Sequence, residues 1–143
     1  MVYNEFVRDY HIHKAGGILV RERKILVERS KDKEFFIAPG GSVEKGETPS
    51  QALIRELLEE FRLKVFERNL SEFGRFYANA AGQESLVVRM DVFRVDKWNG
   101  EPKPDNEVEE IAWINSSIPK GLKVGSIFEH EVIPRLRKMD LID

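Results

Sequence analysis

The chain has 143 residues, which suits one domain spanning 1–143 and a core that needs no staples. Apolar residues make up 41 %, charged residues 34 %, and the formal net charge is -2, so no global attraction to nucleic acid or an anionic membrane is expected. The absence of cysteine excludes disulfides, thiol nucleophiles and thiolate zinc sites.

The N-terminal stretch carries Asn4, Glu5, Arg8 and Asp9 among its apolar residues, which is not the pattern of a signal peptide. Ala15 to Val20 is the longest apolar run and two glycines break it, so no membrane span is expected and a cytoplasmic protein is the default. Residues 11–20 read as a strand, with Lys24 to Glu28 as its hairpin partner across Arg21-Glu22-Arg23. His11 and His13 share one face of that strand and read as exposed edge residues. Lys31 to Glu34 is a charged loop, and Phe35 to Ile37 is an apolar segment stopped by Pro39-Gly40-Gly41.

The strongest helix signal begins at Thr48. Thr48 is a good N-cap, Pro49 suits the first helical position, and Gln51 completes a capping box. The helix should end near Phe61 or Arg62. Lys64 to Tyr77 contains a further strand, followed by a loop of small residues from Ala78 to Gly82. Glu84 to Val95 reads as a long strand, with Leu86, Val88, Met90 and Val92 alternating on one face. Asn99 to Asn106 is a loop, Val108 to Ile114 a strand, and Ser126 to Met139 a second helix that Pro134 should kink or break. Trp113 and Phe128 read as core aromatics. Strands and helices mix without strict alternation, so the expected class is α+β, a mixed β-sheet with helices packed on its faces.

On the first helix, Leu53, Ile54, Leu57, Leu58 and Phe61 form one apolar arc at about 100° per residue. Glu56, Glu59 and Glu60 occupy the adjacent arc at i, i+3 and i, i+4 spacings, where like charges repel. They also lie toward the helix C-terminus, where the macrodipole disfavours anions. Taken alone, the helix reads more simply as a solvated charged face. The Pro39-Gly40-Gly41 turn just ahead shifts the balance, because glycine lets backbone approach a ligand closely. A divalent cation with oxygen ligands would offset the repulsion, and Mg²⁺ takes such ligands.

The run from Gly41 to Leu63, GSVEKGETPSQALIRELLEEFRL, resembles the signature box of the Nudix hydrolase family, to which the MutT-type enzymes belong. Arg62 stands where that box has a glycine; every other fixed position agrees. The resemblance implies a Nudix-like fold and a Mg²⁺-dependent pyrophosphohydrolase, with Mn²⁺ as a substitute, acting on a small nucleotide-like substrate by water attack. It implies Glu59 and Glu60 as core metal ligands and Glu56 as ligand or base. The carbonyl of Gly40 or Gly41 would be a further ligand, and Glu107 an extra acid from a later loop, with Glu109 and Glu84 as rivals. Glu47 would pair with Arg55 as structural support. Arg29 and Tyr77 are candidate substrate contacts. The resemblance also allows a homodimer. The alternative is a non-catalytic nucleotide-binding module of the same fold, against which the intact acids count.

Overall fold

The computed structural model describes residues 9–80 and 83–143. Asn4, Glu5 and Arg8, and Ala81 and Gly82 of the expected small-residue loop, lie outside the described residues.

The apolar run at 11–20 forms two strands rather than one. β1 spans Ile12–Ile18 and β2 spans Val20–Arg21, and they belong to different sheets. Fully buried Leu19 makes the step between them. β3 (Lys24–Ser30) follows a two-residue turn in which Glu22 and Arg23 have φ of 51° and 62°. Left-handed backbone at both positions matches the twist of a tight hairpin, and neither residue is the usual Asn or Gly. Arg23 is held there by ion pairs of 2.6 Å to both Asp140 and Asp143.

β4 (Gly40–Ser42), β5 (Leu70–Ala80), β6 (Gln83–Val95) and β7 (Val108–Ile114) complete the strands. One sheet is mixed, ordered β4-β1-β6-β5; the other is antiparallel, ordered β2-β3-β7. The expectation of a loop from Ala78 fails, because Ala78, Asn79 and Ala80 pair with Val88, Val87 and Gln83 and carry β5 on. Cross-strand pairing overrides the weak local preference of small residues. β1 is also no edge strand: it runs parallel to β6 on one side and antiparallel to β4 on the other. His13 is therefore not an exposed edge residue, and its Nε2 lies 2.6 Å from Asp91 Oδ2.

The first helix, α1, spans Pro49–Phe61. Thr48 Oγ1 accepts from the Gln51 N–H, and Gln51 Oε1 accepts from the Thr48 N–H, so the capping box is closed. Ala52, Leu53, Leu57 and Phe61 are fully buried against Ala15, Leu19, Leu26 and Phe93. Leu58 departs from the expected core arc and is 56 % exposed, since it sits at the arc's outer margin. The second helix occupies residues 126–138, with a π-helical turn at Phe128–Val132 and regular α-helix, α2, at Ile133–Lys138. The wide turn falls just before Pro134, which has no N–H to give and whose ring clashes with the carbonyl four residues back. Phe128, Val132, Ile133 and Leu136 bury a second core with Ile18, Val27, Phe76 and Val92. The two helices thus cover opposite faces of the strands.

Arg62 ends α1 in left-handed backbone, φ 57°, with its N–H bonded to the carbonyls of Leu57 and Leu58. Its Nε reaches Asp105 Oδ2 at 2.7 Å, and Asn106 Nδ2 donates to the Glu59 carbonyl. The loop before β7 is thereby strapped across the C-terminal end of α1. Left-handed backbone costs an L-residue roughly 1–2 kcal/mol, whereas glycine adopts it freely. The exposed Arg62–Asp105 pair offsets little of that in water. Arg62→Gly is expected to raise Tm by about 2–4 °C; a drop in a thermal melt would mean that the strap contributes more than the strain costs.

Candidate metal and phosphate cleft

α1, β1, β3, β4 and the loop before β7 enclose a cleft of about 560 Å³. Its walls include Gly40, Gly41, Glu28, Glu56, Glu59, Glu60 and Glu107, with Lys14 as the basic lining residue. Glu56, Glu59, Glu60 and Glu107 thus line one cleft.

Two glycines make the approach possible. A Cβ on Gly41 would lie 2.5 Å from the Glu56 carboxyl carbon, so that carboxylate rests on bare backbone. Gly40 has φ 141° and pairs with Gly16 of β1 so closely that a Cβ would run into the Ala15 carbonyl.

Arg55 organises the outer wall. Its Nε and Nη2 donate to Glu47 at 2.7 and 3.0 Å, and Nη2 also donates to the Ser42 carbonyl at 3.0 Å. Nη1 donates to Glu56 Oε1 at 3.0 Å and to Glu59 Oε2 at 3.4 Å. The expected Glu47–Arg55 pair is present and the same guanidinium steers two cleft acids. Hydrogen bonds from Arg55 and from the Glu44 N–H hold Glu47 down at about 2. The Glu47 bond likewise raises Arg55 above its ordinary range, so the arginine stays charged.

The inner wall behaves oppositely. Burial first, then hydrogen bonds with Glu56 and Glu28, push Glu60 up from 4.5 to about 11. Burial also lifts Glu28, to about 7, with the charge of Glu56 adding to it. Glu28 is the residue that sequence reasoning missed. It is 1 % exposed, and its Oε2 is buried without a hydrogen-bond partner.

Among the described residues no three acidic or histidine side chains already converge on one point. Arg55 binds Glu56 and Glu59 from one side, while Glu60 hydrogen-bonds with Glu56 and Glu28 on the other. The donor set nonetheless fits a hard cation: it is all oxygen, it is crowded, and one buried oxygen has no partner.

Not every candidate lies here. Arg29 turns away to Glu109 and Glu110 at 3.3 and 3.2 Å and to the Lys33 carbonyl at 3.1 Å. Tyr77 stands opposite Arg89, and lines neither this cleft nor the apolar pocket beside it. That pocket, of about 270 Å³, is formed by Ile12, Ala78, Val88, Ile127 and Phe128 with Lys14, Ile37, Ala38 and Met90. The last four also line the acidic cleft, so the two spaces lie side by side. Behind the sheet, buried Asp91 collects His13, Arg75 and Arg89 at 2.6, 3.0 and 3.1 Å. Burial raises its pKa, but these partners outweigh burial and leave it below the ordinary range.

The chain thus builds an acid-lined cleft from a capped helix and a glycine turn, beside one mixed and one antiparallel sheet. The NUDIX domain family matches residues 11–135, and the chain belongs to that family. It is 31 % identical over 130 residues to an ADP-ribose pyrophosphatase of Methanocaldococcus jannaschii, covering 86 % of this chain and 72 % of that one. It is 32 % identical over 108 residues to an 8-oxo-dGTP diphosphatase of Haemophilus influenzae, covering 72 % and 75 % respectively. The crystal structure of a MutT protein from Methanosarcina mazei shares the fold, with TM-score 0.72, 17 % identity, and 94 % and 99 % of the two chains covered. The chain is thus a hydrolase of phosphoanhydride bonds.

Proposed function

We propose that the protein is a Mg²⁺-dependent pyrophosphohydrolase that cleaves a phosphoanhydride bond of a nucleoside di- or triphosphate-type substrate. The observation that carries this reading is the apolar pocket lying beside the acidic cleft, with Lys14, Ile37, Ala38 and Met90 lining both. A nucleotide has the same two parts, a polyanion joined to a flat, largely apolar base.

The polyanion cannot enter such a cleft alone, because Glu28, Glu56, Glu59, Glu60 and Glu107 face it and Lys14 is the basic lining residue. Glu56, Glu59, Glu60, Glu107 and the Gly40 carbonyl would hold Mg²⁺, with Mn²⁺ as a substitute. When bound, the cation neutralises phosphate charge and makes water a better nucleophile at neutral pH. The protein's own groups do the positioning that phosphoryl transfer mainly requires. Arg55 keeps Glu56 oriented, and the Glu56 carboxylate takes the proton of the attacking water. Oxygen from water joins one phosphorus, the bridging P–O bond breaks, and the leaving phosphate carries the electron pair away. Lys14, at the junction of the two spaces, attracts the phosphate chain while the pocket receives the base.

The test is a panel of nucleoside triphosphates, oxidised purine triphosphates, dinucleoside polyphosphates and nucleotide sugars, assayed with Mg²⁺, with Mn²⁺ and with EDTA. Metal-dependent release of phosphate, pyrophosphate or a nucleoside monophosphate is expected from at least one member. Turnover undiminished in EDTA, or none with either metal, would rule the reading out.

A further inference from the structure

We propose that Glu28, on β3 and outside the box, is a further carboxylate ligand for divalent cation in this cleft; the inference rests on the functional reading above.

Along β3 the residues Leu26, Glu28 and Ser30 alternate toward α1. Leu26 is fully buried in the apolar cluster beneath α1, and Ser30 lines the cleft. Between them an aliphatic side chain would simply extend the core. A carboxylate stands there instead, 1 % exposed. Its Oε2 has no hydrogen-bond partner, although buried polar atoms in native proteins rarely lack one. Lys14 attracts it through space rather than through a hydrogen bond.

The side chain does not reach this place through loose backbone. The Glu28 N–H donates to the Ile37 carbonyl at 2.8 Å, and its carbonyl accepts from the Ile37 N–H at 2.7 Å. On the other side Glu28 stands in register with Ile111 of β7. Held from both flanks, it presents its carboxyl group to that of Glu60 on α1. Two carboxyl groups facing each other beside a third, Glu56, offer hard oxygen donors of the kind that divalent cations take. A ligand on β3 also couples the antiparallel sheet to α1, so cation binding should stiffen a junction that box ligands alone would leave unbridged.

The experiment is a Mn²⁺ titration followed by electron paramagnetic resonance, without substrate, on the wild type, Glu28→Gln and Glu28→Leu. Thermal melts in Mn²⁺ and in EDTA accompany it. Glu28→Gln should lose one bound ion or weaken Mn²⁺ binding about tenfold or more, and its Mn²⁺-induced rise in Tm should shrink. Glu28→Leu should bind Mn²⁺ as weakly while melting in EDTA no lower than the wild type, which keeps the test valid if the Gln variant folds poorly. Variants that match the wild type in ion number, and in affinity within twofold, overturn the assignment of Glu28 while leaving the hydrolase reading intact. Failure of the wild type itself to bind Mn²⁺ overturns both.

Discussion

Glu60→Gln is expected to lower turnover about 10²-fold or more while making the metal-free protein more stable above about pH 5. The first effect follows if charge developing on the phosphate is balanced through this carboxylate. The second follows from proton linkage. Glu60 and Glu28 are lifted from 4.5 to about 11 and about 7. Once pH exceeds about 4.5, the unfolded chain has released protons that the folded protein keeps. Stability from these groups is therefore complete below that pH. It declines as pH rises through about 7, and Glu60 continues the decline beyond. Glutamine cannot titrate, so Glu60→Gln should flatten the slope in EDTA melts between pH 5 and 9. Saturating Mg²⁺ at pH 8 should raise the wild-type Tm and move the variant little, since a ligand that binds only the folded state stabilises it by mass action. A variant less stable than wild type throughout that range would instead assign Glu60 a structural role.

How far the sequence revealed this site depends on how local each determinant is. α1 was readable from Thr48, Pro49 and Gln51 because a cap is made by residues three apart, and the helix ends at Phe61 as expected. Arg62 was flagged because glycine is expected at a left-handed cap, and it does adopt φ 57°. The division of residues 11–20 was not readable. The run is apolar throughout because both halves are buried, and only the partners β6 and β3 decide where one sheet ends and the other begins. β5 beyond Ala78 was hidden for the same reason, as its continuation depends on β6. Glu28 is only the last residue of the expected strand Lys24 to Glu28, a charge after three apolar residues. Its burial is decided by Glu60 and α1, about thirty residues further along the chain. The one available signal was parity: Glu28 lies on the same side of β3 as Leu26, which faces α1. Arg29 was a candidate substrate contact through the family resemblance, yet its guanidinium is taken up by two acids of β7.

The adjacent glycines of the turn should respond to alanine in opposite ways. At Gly40 the obstruction is backbone. A Cβ would meet the Ala15 carbonyl and lie 3.1 Å from the Gly16 Cα, at a φ of 141° that L-residues rarely adopt. β4 would have to part from β1, and neither strand has a flexible side chain there to yield. Gly40→Ala is expected to cost about 3 kcal/mol or more, from strain and overpacking together. Tm should fall by roughly 10 °C. At Gly41 the obstruction is the end of the Glu56 side chain, 2.5 Å away, which can rotate. Gly41→Ala should therefore keep Tm within about 2 °C of the wild type. Its cost should appear in kcat, because Glu56 would be pushed off the backbone and against the Arg55 bond that aims it. A displacement near 1 Å at a reacting group can cost about 10²-fold. Melts and kcat measured on both variants separate the two glycines. If Gly41→Ala lost stability but kept kcat, Glu56 would not be the group that receives the proton, and the base would have to be sought among the other acids of the cleft.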